Sequence, residues 1–432
     1  MPVEKGLMYI YIYDGTIPLR VFEIWRGNNI RQSIFIHQVG QFDPLGVNIR
    51  QLIFLTMATP LDLHIPSSTS TVNVSIIHTG TILKAMPTGV LLEPQIPGHE
   101  YLYVPCYSFL IQHPTQDRTL VFDLGIRKDW QNWPEPVRQS IIENDVIADV
   151  PKDVREMLDE HGVDTKKIEA VIWSHSHLDH IGNPSIFEAS TRLLVGKGTK
   201  EDVFPGYPTN PKAGFKESDV AGRIVEEIDF STSKIKVGGL AALDYFGDGS
   251  FYLLDTPGHC IGHMCALARV TSSPDSFILM GGDAVHHGGE LRPHPWHPLP
   301  ESILPNPFHP TSHSPCPGEL FGKLLPNGRE APFYRPSSMP YSPHADIPTT
   351  IETIKRLQEA DAHSNILIVA AHDASFLNVA EFFPASANAF MEKGWAEKVR
   401  WAWLADYATA VGMDENIPRT LFGDPRPLKN RV

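Results

Sequence analysis

The chain is short of cysteine, of basic charge and of long apolar runs, and each shortage removes a class of function. Only four cysteines occur, Cys106, Cys260, Cys265 and Cys316, and no two of them have CxxC spacing. A disulfide framework and a cysteine-built zinc finger are therefore excluded. With no secretory leader ahead of them, the thiols are expected to be reduced, in a cytoplasmic protein. Runs such as LMYIYIY and LIFL stop well short of the roughly 18 apolar residues that span a bilayer, so no membrane partner is expected. Lysine plus arginine number 36 against 50 aspartate plus glutamate, a formal charge of -14. No basic arm offsets it, which argues against a nucleic-acid partner. A small, neutral or weakly charged molecule is the expected ligand, and no motif specifies an oligomeric state.

The length of 432 residues accommodates one large α/β domain with insertions. Residues 1–56 are rich in Ile, Phe and Tyr but sustain neither a helical nor an alternating period. Met57 opens a polar lead-in to an alternating, strand-like segment at Thr71–Ile77. Residues 1–56 are expected to be an extension outside the fold, a tail or an upstream gene-model segment, with translation starting at Met57. Residues 57–432 would form the working domain.

Within that domain YLYVPCYSFLIQHP and RTLVFDLG read as strands joined by a hairpin. PKDVREMLDEHGV, with Pro151 in front and Gly162 behind, reads as a helix. KIEAVIWS, TRLLVG, GRIVEEIDF, LAALDYFG, SFYLLDTPG, MCALARV and FILMGGD read as further strands. Helices are expected around Pro348–Ala362 and Ser386–Met413. Such mixing predicts a layered α/β or α+β domain. Residues 291–346 are rich in Pro, His and aromatics and too broken for long elements, so a lid-like insertion is expected there. Its histidines, including His294, His297, His309, His313 and His344, lack compact ligand spacing and are expected to line the lid. Phe204, Tyr207, Trp296, Phe308 and Tyr334 are candidates for an apolar wall over the site.

The densest chemistry is WSHSHLDHIG, directly after a strand. Imidazole and carboxylate are ligands that zinc favours. Side chains at alternate strand positions point the same way, so His175 and His177 can converge on one point. Asp179 and His180, past the strand end, can turn to a second point nearby. Two ions about 3.5 Å apart need further ligands and a shared group. LLDTPGHCIGH supplies His259, LMGGDAVHH supplies Asp283 and LIVAAHDAS supplies His372, each after an apolar strand, where α/β sheets place their sites.

The series HxHxDH, TPGH, GD and a late His resembles the metallo-β-lactamase-fold hydrolases, over roughly Val72–Phe383. VFDLG, with Asp123 and Gly125, also looks like that family's early aspartate-glycine turn. The resemblance implies an αββα sandwich with two zinc ions per subunit. His175, His177 and His259 would hold the first, Asp179, His180 and His372 the second, and Asp283 would bridge them. With no cysteine in this ligand set, the chain looks most like lactonase-type members, among them fungal enzymes that open benzoxazolinone-type lactams in detoxification. A metal-activated water would attack the carbonyl, with Asp179 passing a proton to the leaving group. His286 stands where acyl-homoserine lactonases of the family commonly carry a tyrosine, and is a candidate donor to the substrate. Acyl-homoserine lactonase and glyoxalase II-like thioesterase activities are the alternatives. Cys260 and Cys265 are expected in the core and His263 beside the ligands, as a supporting residue.

Overall fold

The computed structural model describes residues 58–143 and 150–413, so the expected extension at 1–56 lies outside the described residues. Two six-stranded sheets carry the fold. The first runs in chain order: β1 (Asn73–Pro87), β2 (Tyr101–His113), β3 (Arg118–Phe122), β4 (Ile168–Ile172), β5 (Arg192–Gly196) and β6 (Val225–Ile228). Its first two pairings are antiparallel, and β3 to β6 are parallel. The second contains β7 (Ile235–Val237), β8 (Leu240–Asp244), β9 (Phe251–Asp255), β10 (Met264–Ser272), β11 (Asp275–Met280) and β12 (Ile366–Val369). It is antiparallel throughout except where β12 lies parallel to β11.

Why these strands read as almost unbroken apolar runs follows from the layering, since both faces of each sheet are covered. Val74, Ile76, Phe109, Phe122, Ala170 and Ile172 of the first sheet meet Phe251, Leu253, Ala266, Ile278 and Val369 of the second in one buried cluster. The alternate residues face outward. Val121, Val171 and Leu193 pack beneath Val154 and Leu158 of helix α1 (Val154–Glu160), whose Asp153 and Glu156 form a capping box. Tyr252, Leu254 and Ile368 pack beneath Ile354 and Leu357 of helix α2 (Ile347–Asp361). The result is an αββα sandwich.

Residues 291–346 form short pairings, such as Ser302–Ile303 with Cys316–Pro317, turns and a 3-10 helix at Gly318–Leu324. They build a separate apolar cluster in which Phe308, Phe321, Phe333 and Tyr334 meet Trp401, Trp403, Leu404 and Tyr407. The long helix expected over 386–413 is not formed. The segment is a series of turns holding a helical turn at Trp395–Val399 and a 3-10 stretch at Ala402–Tyr407. Gly394 at φ 61° stops the chain from continuing as a helix. Phe390 and Trp395 enter the cluster between the sheets, while Trp401, Trp403 and Tyr407 serve the insertion's cluster.

Candidate metal centre

The carboxyl ends of β3, β4, β11 and β12 and the loop after β9 open on one edge of the sandwich. Backbone hydrogen bonds join the two sheets there: the Met264 N–H donates to Ser174 O at 2.8 Å and the Tyr107 N–H to Ala371 O at 3.1 Å. The turn delivering Asp283 depends on Gly282, at φ 49°, where a Cβ would lie 2.9 Å from His263 Nε2 and 3.1 Å from Ser174 Cβ. Only glycine allows that approach.

All seven residues singled out in the sequence converge on this edge. His175, His177, His259 and Asp283 present ligand atoms within 4.8 Å of one another, and so do His180, His372 and Asp283. Asp283 is common to both groups. Its Oδ1 lies 2.9 Å from His372 Nε2 and 3.0 Å from His180 Nε2, while Oδ2 lies 3.5 Å from His259 Nε2 and 3.6 Å from His175 Nε2. Asp179 reaches the second group, with Oδ2 3.4 Å from His372 Nε2. His286, the eighth candidate, puts Nε2 3.3 Å from Asp283 Oδ2.

Buried His175 Nε2, His180 Nε2 and Asp283 Oδ1 have no hydrogen-bond partner although they converge. Unmatched buried polar atoms are costly unless another group satisfies them, and a set of imidazole nitrogens around a carboxylate fits a borderline cation such as zinc. Electrostatics agree. Burial pushes the His175 and His259 imidazoles well below their ordinary value, helped by His180 and His177 respectively, which leaves them neutral. Against its own burial, the Asp283 carboxyl is held well below the usual range, first by His180 and then by His372. The same attraction, again opposing burial, raises His372 and His286 to about 10. Protons thus balance Asp283 where cations can replace them.

Groups behind the cluster orient it. Asp123, at φ 58°, accepts from the Ser174 N–H at 2.6 Å, from Ser174 Oγ at 2.7 Å and from His180 Nδ1 at 2.9 Å. With Nδ1 so engaged, Nε2 is the His180 nitrogen that faces Asp283, where a cation would take the place of its proton. Asp123→Asn keeps the volume but turns an acceptor into a donor. It is expected to weaken the ion nearest His180 by about 10–100-fold, read by chelator competition. His263 sits where expected for a supporting residue: Nδ1 donates to Thr256 O at 2.9 Å and Nε2 accepts from the Asp283 N–H at 3.0 Å.

Three neighbours escaped the sequence analysis. Cys106 lies with Asp179 and His372, their ligand atoms within 4.8 Å of one another, so a cysteine does border the ligand set. Burial pushes its thiol up to about 11, which keeps it protonated in the metal-free protein. Glu290, four residues after His286, accepts the His286 N–H at 2.7 Å; that spacing was the available signal. His344 touches His259 from the insertion, and its sequence context carries no sign of this.

The five aromatics expected to form one wall do not come together, although Phe308 and Tyr334 share the insertion's cluster. Phe204 packs on Trp173 and Phe215, Phe308 stacks on Phe321, Trp296 lies against His294, and Tyr334 bonds His99 through its hydroxyl, while Tyr207 bridges to Lys216. A cavity of about 660 Å³ lies between the insertion and α2, lined by Phe333, Tyr334, Ile351, Ile354 and Glu290 but by none of the seven residues. Among the described residues no helix is long and apolar enough to cross a membrane.

Comparison with known proteins shows the family of the chain. Residues 101–330 match the family model described as Metallo-beta-lactamase superfamily. Gamma-lactamase FDB1 of Fusarium pseudograminearum (strain CS3096) is 43% identical over 354 residues, covering 81% of this chain and 85% of that one. Metallo-hydrolase mfmC of Annulohypoxylon moriforme is 41% identical over 361 residues, covering 82% and 93%. A crystal structure of a quorum-quenching N-acyl homoserine lactone lactonase aligns at TM-score 0.45 and 16% identity, covering 74% of this chain and 99% of that one. The chain belongs to the metallo-beta-lactamase superfamily and is a hydrolase of that fold.

Proposed function

We propose that the protein is a dinuclear zinc hydrolase that opens a small cyclic amide or ester, with a benzoxazolinone-type lactam as the leading substrate and detoxification as the role. The observation that carries this is the sharing of Asp283 between two groups of buried histidines, in which His175 Nε2, His180 Nε2 and Asp283 Oδ1 have no hydrogen-bond partner. His175, His177 and His259 would hold one ion, Asp179, His180 and His372 the other, and Asp283 both. Bound zinc supplies Lewis acidity at the carbonyl and a nucleophilic water near neutral pH. The lactam preference is carried over from the relative named a gamma-lactamase.

The chain's own groups handle the protons and the substrate. Asp179, the most exposed carboxylate of the set, is placed to take a proton from the attacking water and pass it to the leaving nitrogen or oxygen. His286 is placed to donate to the substrate beside Asp283, with Glu290 fixing its backbone. Residues 291–346 would act as a lid that limits water and sets the size of the ring admitted. His286→Ala is expected to keep both ions and lower kcat by about 10²–10³-fold, with His286→Gln recovering part of the loss; kinetics and metal content on the same samples check it.

The reading is tested with zinc-reconstituted protein and four substrates: an aromatic cyclic carbamate, a γ-lactone, an acyl-homoserine lactone and a glutathione thioester. Metal-dependent opening of the carbamate or γ-lactone, fastest with the carbamate, is expected. Turnover of the thioester alone would place the protein with the glyoxalase II-like alternative.

A further inference from the structure

An imidazole that binds a metal through one nitrogen is oriented through the other. For His180 that partner is Asp123, and for His372 it is the Pro105 carbonyl, which accepts from Nδ1 at 2.7 Å. His259 differs, because its partner comes from the end of the insertion: His259 Nδ1 lies 3.3 Å from His344 Nδ1. His344 Nε2 is 3.1 Å from the Leu91 carbonyl oxygen. A carbonyl can only accept, so His344 Nε2 carries the proton and its Nδ1 is bare. His259 Nδ1 must then donate. His259 Nε2 is left with its lone pair facing His177 Nδ1 at 3.0 Å and Asp283 Oδ2 at 3.5 Å.

The backbone around this contact is clamped from the same side. The Ala345 N–H donates to His259 O at 2.8 Å and the Asp346 N–H to Gly258 O at 2.9 Å. Thr353 Oγ1 of α2 donates to Pro257 O at 2.7 Å. Gly258, at φ 125°, sits so close to the first turn of α2 that a Cβ would lie 2.3 Å from Thr350 N. The loop carrying His259 is therefore held by the last residues of the insertion and the first turns of the following helix, not by its own strand alone.

We propose that His344 is a positioning residue for His259, fixing its tautomer and ring orientation and so tying the affinity of the three-histidine subsite to docking of residues 291–346. This rests on the two-metal reading above. The insertion then has a role distinct from covering the substrate: an insertion that is undocked leaves His259 without its Nδ1 acceptor and with two fewer backbone contacts. The subsite built from Asp179, His180 and His372 is oriented by Asp123 and Pro105 and is independent of it.

Three variants test this. His344→Phe keeps the ring volume and removes the acceptor. His344→Asn places a carbonyl oxygen near the position of Nδ1. His344→Gln reaches the Leu91 carbonyl with its amide nitrogen but offers nothing to His259. Zinc affinity of each, measured for both ions by competition with a chromogenic chelator, should show one ion weakened by about 10–100-fold in the Phe and Gln variants. The other ion should stay at the wild-type value, and Asn should restore most of the loss. Should the Phe variant fail to fold, the Asn and Gln comparison carries the same test. Wild-type affinity for both ions in the Gln or Phe variant, or equal weakening by Gln and Asn, overturns the assignment of His344 alone. A wild-type protein that takes up no zinc overturns the two-metal reading and this inference together.

Discussion

Asp283→Ala is expected to lose both ions, not one, and with them at least about a hundredfold in kcat/KM. Orienting partners that never touch a metal already cost about 10–100-fold when removed, and Asp283 is the one carboxylate that reaches both histidine groups. Without it His180 and His372 lose the charge that faces them at 3.0 and 2.9 Å. His175 and His259 lose theirs as well. A buried set of imidazoles with no anion at its centre holds a cation more weakly, because the charge that balances it in a dry site is gone. Metal analysis and kinetics on the purified variant check this. Retention of one tightly bound ion would show that the two groups are separable, and that Asp283 belongs to only one of them.

Asp361→Ala is expected to cost about 3–5 kcal/mol of stability, because it strands a buried charge. Arg292 donates to Asp361 through Nε at 2.7 Å and also through Nη2. His294 Nε2 reaches the same carboxylate at 2.9 Å, and His297 Nε2 reaches the Asp361 carbonyl at 3.0 Å. These contacts fasten the start of the 291–346 insertion to the end of α2. Despite its burial, the Asp361 carboxyl is held far below the usual carboxylate value by Arg292 and His294. A carboxyl depressed in the folded state stabilises fully above its unfolded value and loses that contribution as pH falls. The wild-type contribution is therefore intact above 3.8 and fades below it, while the alanine variant lacks it throughout. Denaturant unfolding of metal-free protein across pH measures both effects. A loss under about 1 kcal/mol would mean that the pair is hydrated in solution and does not anchor the insertion.

The site was legible where chemistry is local to a strand end. HxHxDH, the TPGH and GGD turns and the late AAHD each place a ligand-type residue one to four positions after an apolar run, and the structure brings those ends to one edge. Asp123 showed itself as part of a VFDLG turn, but its grip on Ser174 and His180 depends on β3 and β4 being neighbours, which no spacing states. His344 and Cys106 were beyond reach for the same reason. Each meets the ligands across most of the fold, from a segment whose local pattern speaks only of turns or of core. The stretch 386–413 was expected to be one helix, but its aromatics are divided between the inter-sheet core and the insertion's cluster, and Gly394 in the left-handed region interrupts it. The wall of five aromatics failed for a related reason: isolated rings in loops are claimed by the nearest apolar cluster.

The central claim is that this edge of the sandwich holds two metal ions through seven side chains, with Asp283 common to both. Native mass spectrometry of chelator-stripped protein titrated with zinc tests it directly. Two zinc ions per chain, both lost in Asp283→Ala, is the predicted result. A chain that saturates at one ion, or that takes up the same number with Asp283 replaced, would contradict it.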